Sequence, residues 1–439
     1  MLKKVQKLNS YKIDYKGINL ISLSQIYVFE LSLNRFDRSK FIDLLKIFSL
    51  DSYLKALFSI SFNKKTKPSR IEYLFVNDIY NYSMINTLRT VEASFPKPYI
   101  EVICDKRIKK AKSNNLFNYW NFFLICQNYF RVFMLLVRNF KIVRALSREF
   151  NINVNLIFLN LLESAFIISC VEKMFRDNQK LKKVILNSDV HKVSRTINLI
   201  AQKFNIKTYV LQHGSTVLEY GYLPVSANKM LTWGSLSSKW FEERGVNKKK
   251  LQVTGTPKTD LIHKYPIEKV SEKKVSNILV VLNPIGESKV EEFIRLIYNA
   301  KLIPNYKITF KLHPGSVDNN NLVYKYFDKS EIKVCKHESI HDLIFNGDLV
   351  ITTTSTVGNE AIAFHKPLIK IDILKTDSKM EYEQFDCCFN IDDASELNSL
   401  IKNTSKLHSK IKNYKNFIEK YFYKLDGKST KRIIKLITA

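Results

Sequence analysis

Four short segments hold most of the residue types able to move a proton or grip an anion. Each directly follows an apolar run of strand character. The first is Gln212-His213-Gly214-Ser215, after Lys207–Leu211. An imidazole at a strand end sits on a rigid element, and its titration range suits a general base near neutral pH. Gly214 lets backbone approach a ligand closely. The second segment is His313-Pro314-Gly315, after Tyr306–Leu312. Pro314 stops the sheet, and Lys311 lies two residues back on the same side of the strand. A His and a Lys placed so suit a phosphate or a developing anion. The third runs Thr352-Thr353-Thr354-Ser355-Thr356-Val357-Gly358-Asn359-Glu360. Free amides at a helix start near Gly358, ringed by hydroxyls, make an anion site. Glu360 could accept from sugar hydroxyls or merely complement the helix dipole. The fourth, Asn283–Ser288 with Gly286, also opens a helix and is the weaker candidate. Taken singly, each has an ordinary reading as a turn, a cap or a hydrogen-bonded surface His.

The elements that must carry these loops follow a strand–loop–helix rhythm. Strands are predicted at Ile71–Val76, Tyr99–Ile103, Lys183–Leu186, Lys207–Leu211 and Leu251–Thr254, with a helix over His191–Phe204. Asn187-Ser188-Asp189 ends the third of these, and Asp189, Gly214 and Ser215 are assigned to the acceptor side. After a polar stretch at Leu261–Ser276 the rhythm restarts. Strands are predicted at Asn277–Leu282, Tyr306–Leu312, Ile332–Cys335, Asp348–Thr352 and Pro367–Ile371. Helices are predicted at Ser288–Tyr298, Ser339–Phe345 and Gly358–Phe364, then through Ser395–Ala439 with a break at Leu425–Lys428. This predicts an α/β chain of two Rossmann-like domains, 1–262 and 263–439, facing across a cleft. Ligands in such sheets bind at the carboxyl ends of the strands.

Composition narrows the partners. The chain has 439 residues and a formal net charge of +29, with 45% hydrophobic residues. A core is affordable and disorder is excluded, while the charge favours nucleotides, acidic glycans or anionic lipid. The six cysteines are scattered and read as reduced thiols. Leu116–Val137 follows a basic run at Lys106–Lys112, and two readings compete for it. One is an interfacial helix in peripheral contact with an anionic membrane; the other, slightly ahead, is a helix mostly buried in the first domain. Asn155–Val171 is predicted to be a core helix rather than a span. The expected location is the cytoplasm, with peripheral placement on the inner face of the plasma membrane as an option.

Missing motifs exclude other chemistries. No G-x-G-x-x-G, G-x-x-x-x-G-K-[ST], D-x-D or G-x-S-x-G occurs. His337-Glu338-Ser339-Ile340-His341 matches the zinc-peptidase pattern. The chemistry needs both His on one helix, and Ser339 reads as an N-cap that leaves His337 outside. A strand at Asp348–Thr352 also separates the pair from Glu360. No metal is expected, and no cofactor.

Several segments occur in an order that resembles a known family: QHGS (212–215), WGSLSSKWFEERGV (233–246), VTGTPKTD (253–260), KLHPG (311–315), TTTSTVGNEAIAFHKPLI (352–369) and FYKLDGKSTKRII (422–434). The chain from Lys183 to Ala439 is similar to bacterial surface-polysaccharide transferases of GT-B fold. These include capsule polymer glycosyltransferases, polysialyltransferases and teichoic-acid glycerophosphotransferases. The resemblance implies a nucleotide-activated donor bound mainly by the second domain. It implies His213 as the base that activates the acceptor, and His313 on donor phosphate. It places the phosphates on Ser355, Thr356 and Gly358, and the loop reading above adds Thr354, Lys311, Gly286 and Glu360 to the donor side. It also implies a last helix that crosses back to the first domain. The teichoic-acid enzymes usually carry Trp before the His of the HG motif, where Leu211-Gln212 stand here. That departure favours a sugar over glycerol phosphate.

The expectation is therefore a glycosyltransferase moving a sugar from a nucleotide-sugar donor to a cell-surface glycan or lipid-linked glycan. His213 deprotonates an acceptor hydroxyl for direct displacement, without a metal. One alternative is a nucleotide-sugar 2-epimerase, which usually shows S-G-G where Ser355-Thr356-Val357-Gly358 stand. Another is a glycerophosphotransferase on a teichoic-acid-like polymer. A nucleic-acid-binding protein is disfavoured, because Lys64, Lys65, Lys109, Lys248, Lys249, Lys273 and Lys274 are dispersed among loops.

Overall fold

The computed structural model describes residues 7–25, 71–77, 82–103, 114–115, 122–216, 219, 221–266, 274–313, 320–375 and 379–439. The expectations at Lys64, Lys65, Lys106–Lys112, Lys273, Pro314 and Gly315 lie outside these residues. The chain forms two compact units. One is Met1–Thr232 with Trp240–Gln252 and Ile433–Ala439; the other is Val253–Arg432 with Trp233–Lys239. The sequence alone suggested a single division at 262; the observed one involves short exchanges at 233–239 and 433–439.

The first unit is built on a sheet of β1 (Tyr73–Asn77), β2 (Tyr99–Ile103), β3 (Asn114–Asn115), β4 (Lys183–Leu186), β5 (Lys207–Leu211), β6 (Lys229–Thr232) and β7 (Leu251–Val253). Its order is β3-β2-β1-β4-β5-β6-β7. Neighbouring strands from β3 to β6 pair in parallel. Phe75, Val76, Val184, Ile185 and Leu186 are wholly buried, as strands covered on both faces require. The strands β3 and β6 were not foreseen. Two residues, or the run Lys-Met-Leu-Thr, leave too little apolar pattern to read.

Helices cover this sheet: α1 (Phe122–Arg138), α2 (Phe140–Phe150), α3 (Val154–Asp177) and α4 (Lys192–Lys203). Asn153 caps α3, its side chain accepting from Asn155 N at 2.8 Å. Among the described residues α3 is the one helix long and apolar enough to cross a membrane, and 76% of its apolar window is buried inside the protein. It packs as the predicted core helix, with Leu161, Ala165, Ile168 and Val171 in the apolar cluster. The burial expected for α1 holds for one face only. Val132 and Leu136 are buried, whereas Phe130, Phe133, Met134 and Val137 are exposed.

The second unit repeats the architecture with β8 (Asn277–Val281), β9 (Lys307–Lys311), β10 (Ile332–Cys335), β11 (Leu349–Thr352), β12 (Leu368–Ile371) and β13 (Phe389–Ile391). The order is β10-β9-β8-β11-β12-β13, all parallel. Chain order reverses between β8 and β11, the switch point at which open α/β sheets bind ligands. Its helices include α5 (Glu287–Asn299), α6 (Ile340–Asn346) and α7 (Val357–Ala363). The last helix, α8 (Ser429–Thr438), starts in the second unit. Its Ile433 and Ile437 are buried in the first unit's cluster with Phe75, Ile185, Tyr209 and Leu231. The predicted crossing of the final helix is thus observed.

Candidate functional site

The second unit gathers three of the four predicted loops at one sheet edge. Register pairs Val281 with both Lys311 and Thr352, so β8, β9 and β11 end level. Asn283, His313 and Thr353 therefore emerge side by side just past their strands. Asn283 ties two of these loops together: its Nδ2 donates to Thr353 Oγ1 at 2.9 Å and to the Thr354 carbonyl at 2.7 Å. Sequence reading passed over Asn283 in favour of Gly286. The signal was its place directly after a strand and before a proline. Gly286 itself precedes α5 at φ +94°, and a Cβ there would meet nothing within 4 Å.

The hydroxyl loop is partly self-satisfied. Ser355 Oγ accepts from Val357 N at 3.2 Å, the Ser355 carbonyl from Gly358 N, and the Thr356 carbonyl from Asn359 N. The expected free amides at the start of α7 are therefore already engaged, because the turn closes tightly on itself. Thr352 Oγ1 donates to the Val281 carbonyl at 3.2 Å. Thr356 is exposed and Thr354 half-buried. Ser355 and Gly358 are buried. Tyr382, fully buried behind Gly358, donates from Oη to the Thr353 carbonyl at 3.3 Å.

Lys311 is buried and donates from Nζ to the carbonyls of Leu312 and Lys336, at 3.1 and 2.7 Å. It pins the start of the His313 loop while placing a cation beneath it. Partial burial, then the Lys311 charge, lower the pKa of His313. The imidazole is consequently neutral at pH 7 and can donate one N–H.

Glu360 is nearly buried. His341 Nε2 stands 3.5 Å from its Oε2 and Lys258 Nζ stands 3.9 Å from its Oε1. Burial works to raise its pKa, but His341 and the Lys258 charge outweigh this and hold the carboxyl below its usual range. Oε2 is buried without a well-formed hydrogen bond. Ser339 caps α6, accepting from Asp342 N, and His337 lies outside the helix as predicted. The separation predicted between this motif and Glu360 is corrected. The strand β11 intervenes in sequence, yet α6 returns His341 to the carboxylate. Among the described residues no three His, Cys, Asp or Glu side chains group closely enough to share a metal ion. A wide cavity of about 900 Å³, lined by Ser235, Lys239, Gln384, Asp386, Lys412 and Lys420, shares no residue with the strand-end loops.

In the first unit, His213 is half-buried two residues past β5. Gln212 closes its turn: Nε2 donates to the Gly214 carbonyl at 2.8 Å, and its backbone N to Leu231 O at 3.0 Å. The imidazole stacks on Tyr222, centroids 4.5 Å apart and planes 6° from parallel. A Cβ on Gly214 would lie 3.1 Å from Tyr222 Oη, so glycine permits this approach. Tyr222 was missed because nothing in its sequence surroundings marks it. Asp189 is buried, and its Oδ2 accepts from Ser226 N at 2.6 Å and Ala227 N at 2.8 Å. Arg195 Nη1 donates to the Pro224 carbonyl at 3.3 Å. Asp189 and Arg195 thereby hold the 221–227 loop that presents Tyr222 to His213. Burial drives the Asp189 pKa up against those donors. Ser215 is half-buried beside Gly214.

Two of the ordered motifs are structural partners. Asp260 accepts from Ser429 N at 2.9 Å and Thr430 N at 2.7 Å, capping α8. Arg432 bonds both oxygens of Asp426, at 2.9 and 2.8 Å, and the Thr254 carbonyl at 2.8 Å. Gly255, at φ +82°, is required because a Cβ would lie 2.4 Å from Ser429 Oγ.

Acid should weaken the fold before carboxylates titrate. Burial lowers the pKa of His365, as partial burial does for His313, against an ordinary value of 6.5. The unfolded chain then takes up protons first, so stability is complete above about pH 6.5 and falls as pH drops through it. We expect the melting temperature to fall between pH 7.5 and 5.5, and His365→Gln to flatten that fall. An unchanged slope in the variant would remove His365 from the effect.

Two α/β units with reversed strand order at a switch point define the GT-B class of transferase-type folds. The structure is similar to a putative UDP-N-acetylglucosamine 2-epimerase from Listeria monocytogenes: TM-score 0.53, 12% identity, 84% of this chain and 96% of that one. It is equally similar, at TM-score 0.53 and 12% identity, to the S. aureus MnaA–UDP structure, over 84% and 96% of the two chains. A UDP-GlcNAc 2-epimerase from Neisseria meningitidis bound to UDP-GlcNAc gives TM-score 0.52, 12% identity, and coverage of 84% and 100%. At that identity these likenesses show the fold. Residues 291–439, about a third of the chain, match the family described as CDP-Glycerol:Poly(glycerophosphate) glycerophosphotransferase. The match bears out the resemblance to bacterial surface-polymer transferases of GT-B fold. Comparison with curated proteins gives no similar sequence.

Proposed function

We propose that the chain transfers a glycosyl unit from a nucleotide-sugar donor to a hydroxyl of a cell-surface glycan. The observation that carries this reading is the level ending of β8, β9 and β11, which sets Asn283, His313 and Thr353–Gly358 along one edge at the switch point. The donor's phosphates sit there, on the hydroxyls of Thr354 and Thr356 and the neutral imidazole of His313. The Lys311 cation beneath the loop and the helix dipole of α7 stabilise charge on the departing diphosphate. Glu360 accepts from donor hydroxyls. His213, held by Tyr222, takes the acceptor proton. The acceptor oxygen bonds to the anomeric carbon as the carbon–oxygen bond to the diphosphate breaks.

A second reading has glycerol phosphate as the transferred group. The family match over 291–439 favours it, since those residues include the donor loops of β9 and β11. There the acceptor oxygen attacks phosphorus, with His213 in the same part. Thermal shift with CMP-, CDP-, UDP- and GDP-sugars and with CDP-glycerol separates the two. A ligand at a hundred times its dissociation constant adds about 2.7 kcal/mol. Stabilisation by a nucleotide sugar, and turnover only with acceptor present, is the expected result. A response to CDP-glycerol alone selects the second reading. Isomerisation of a UDP-sugar without acceptor, or no response to any donor, would defeat both.

A further inference from the structure

The cavity of about 900 Å³ lies wholly in the second unit, since every residue lining it belongs there. Its surroundings are basic: Lys402–Lys424 holds seven lysines and one carboxylate, Glu419. In the helix Tyr414–Tyr421 the residues Tyr414, Phe417, Ile418 and Tyr421 are buried, which leaves Asn416 and Lys420, one turn apart, to line the cavity. Ser235 and Lys239 repeat that spacing on the helix Ser235–Glu243 and form another wall. Ser235 Oγ donates to the Lys420 carbonyl at 3.5 Å, fastening the two helices together. Lys412 is the third lysine of the lining, and Asp386 is its one carboxylate. That carboxylate is engaged by a fourth lysine, Lys410, and by Asn413, whose Nδ2 donates to its Oδ2 at 3.3 Å. The chain at Gln384–Asp386 leads into β13, away from the carboxyl strand ends that carry the donor loops.

We propose that this cavity is a second glycan-binding site, outside the transfer site, which holds a stretch of the acceptor whose sugars carry carboxylate or phosphate. Lys239, Lys412 and Lys420 meet the anionic groups. Gln384, Asn413 and Asn416 exchange hydrogen bonds with sugar hydroxyls. Phe385 is half-buried, with Lys420 Nζ 5.5 Å from its ring centroid, and offers an apolar surface to the C–H face of a sugar. The lining selects a glycan over other polyanions. None of the large apolar side chains exposed among the described residues lies here, as a lipid surface would need. One aromatic ring gives no row of platforms for stacked bases. The inference rests on the reading of the acceptor as a surface glycan, and adds where a distant part of that glycan is gripped.

The test is fluorescence anisotropy of labelled polymers titrated with the full chain in the absence of donor. The probes are oligogalacturonate, poly(glycerol phosphate), neutral dextran and a single-stranded oligonucleotide of matched charge. One or both anionic glycans should bind, which tells carboxylate from phosphate recognition, and dextran should not. Lys412→Gln/Lys420→Gln should raise the dissociation constant about tenfold or more. Lys301→Gln/Lys329→Gln removes the same charge from exposed positions outside the cavity and should change it by no more than about twofold. Asn416→Asp brings a carboxylate to an exposed position in the lining, and its weaker binding decides the matter should the double variant fail to fold. Thermal shift by nucleotide donors should be the same in parent and variants, so loss of glycan binding here is told apart from failure of the transfer reading, which would remove that shift from the parent. The proposal is overturned if neither anionic glycan binds, if the cavity variants bind like the parent, or if the control pair loses as much. Oligonucleotide binding as tight as glycan binding, and lost in the same variants, would also overturn it and assign the cavity to nucleic acid.

Discussion

His213→Ala should lower transfer by about 10²- to 10⁴-fold, the range supplied by a positioned acid or base. Donor affinity should stay unchanged, because the loops proposed to hold the donor belong to the other compact unit. His213 is half-buried and fills no core cavity, so the melting temperature should move little. Initial rates at saturating donor and acceptor, with donor-induced thermal shift as control, measure the effect. Turnover within a few-fold of the parent would remove His213 from the chemistry. Its setting argues for a large effect: a side chain stacked 6° from parallel on Tyr222 has lost most of its freedom to mispoint. Proton transfer rewards that loss of freedom.

The second large effect is expected at Gly358. A Cβ there would sit 2.7 Å from Tyr382 Cε1, 3.0 Å from Cζ and 3.1 Å from Leu368 Cδ2. The Tyr382 ring cannot swing aside, since it is fully buried and its hydroxyl holds the Thr353 carbonyl. Gly358→Ala should cost about 1–3 kcal/mol by overpacking. It should also weaken donor binding, because any shift of Tyr382 is passed to the loop that Asn283 braces. Thr356→Ala, at an exposed position, should leave the melting temperature alone while reducing donor affinity. Melting curves with and without nucleotide donor separate these cases. A Gly358→Ala protein as stable and as responsive as the parent would refute the coupling.

The fold was legible because parallel strands buried on both faces write continuous apolar runs, as at Asn277–Leu282 and Lys183–Leu186. Edge strands such as Phe389–Ile391 were not, since three residues carry no period. Among the candidate residues of the two units, His213, His313 and the 352–360 loop were visible as reactive types directly after strands. Asn283 and Tyr222 were not, because their roles come from contacts made across 70 and 9 positions of sequence. The contact between the segments at 253–260 and 422–434 was likewise unreadable in sequence, since Asp260 caps α8 and Arg432 bonds the Thr254 carbonyl across about 170 positions. The engaged amides of α7 mark the opposite limit: sequence shows where a helix begins, but not whether its own turn has already claimed the first donors.

The membership of residues 433–439 in the first unit has a consequence for how the molecule is made. Ile433 and Ile437 finish a cluster whose other members, such as Leu231, leave the ribosome about two hundred residues earlier. Domains usually fold in the order of their synthesis. Here the half that emerges first must wait, with Phe75, Tyr209 and Leu231 unsealed, until the other half has been translated. A nascent chain stalled anywhere in the second half would therefore display greasy surface from the first, a handle by which quality control could recognise unfinished molecules.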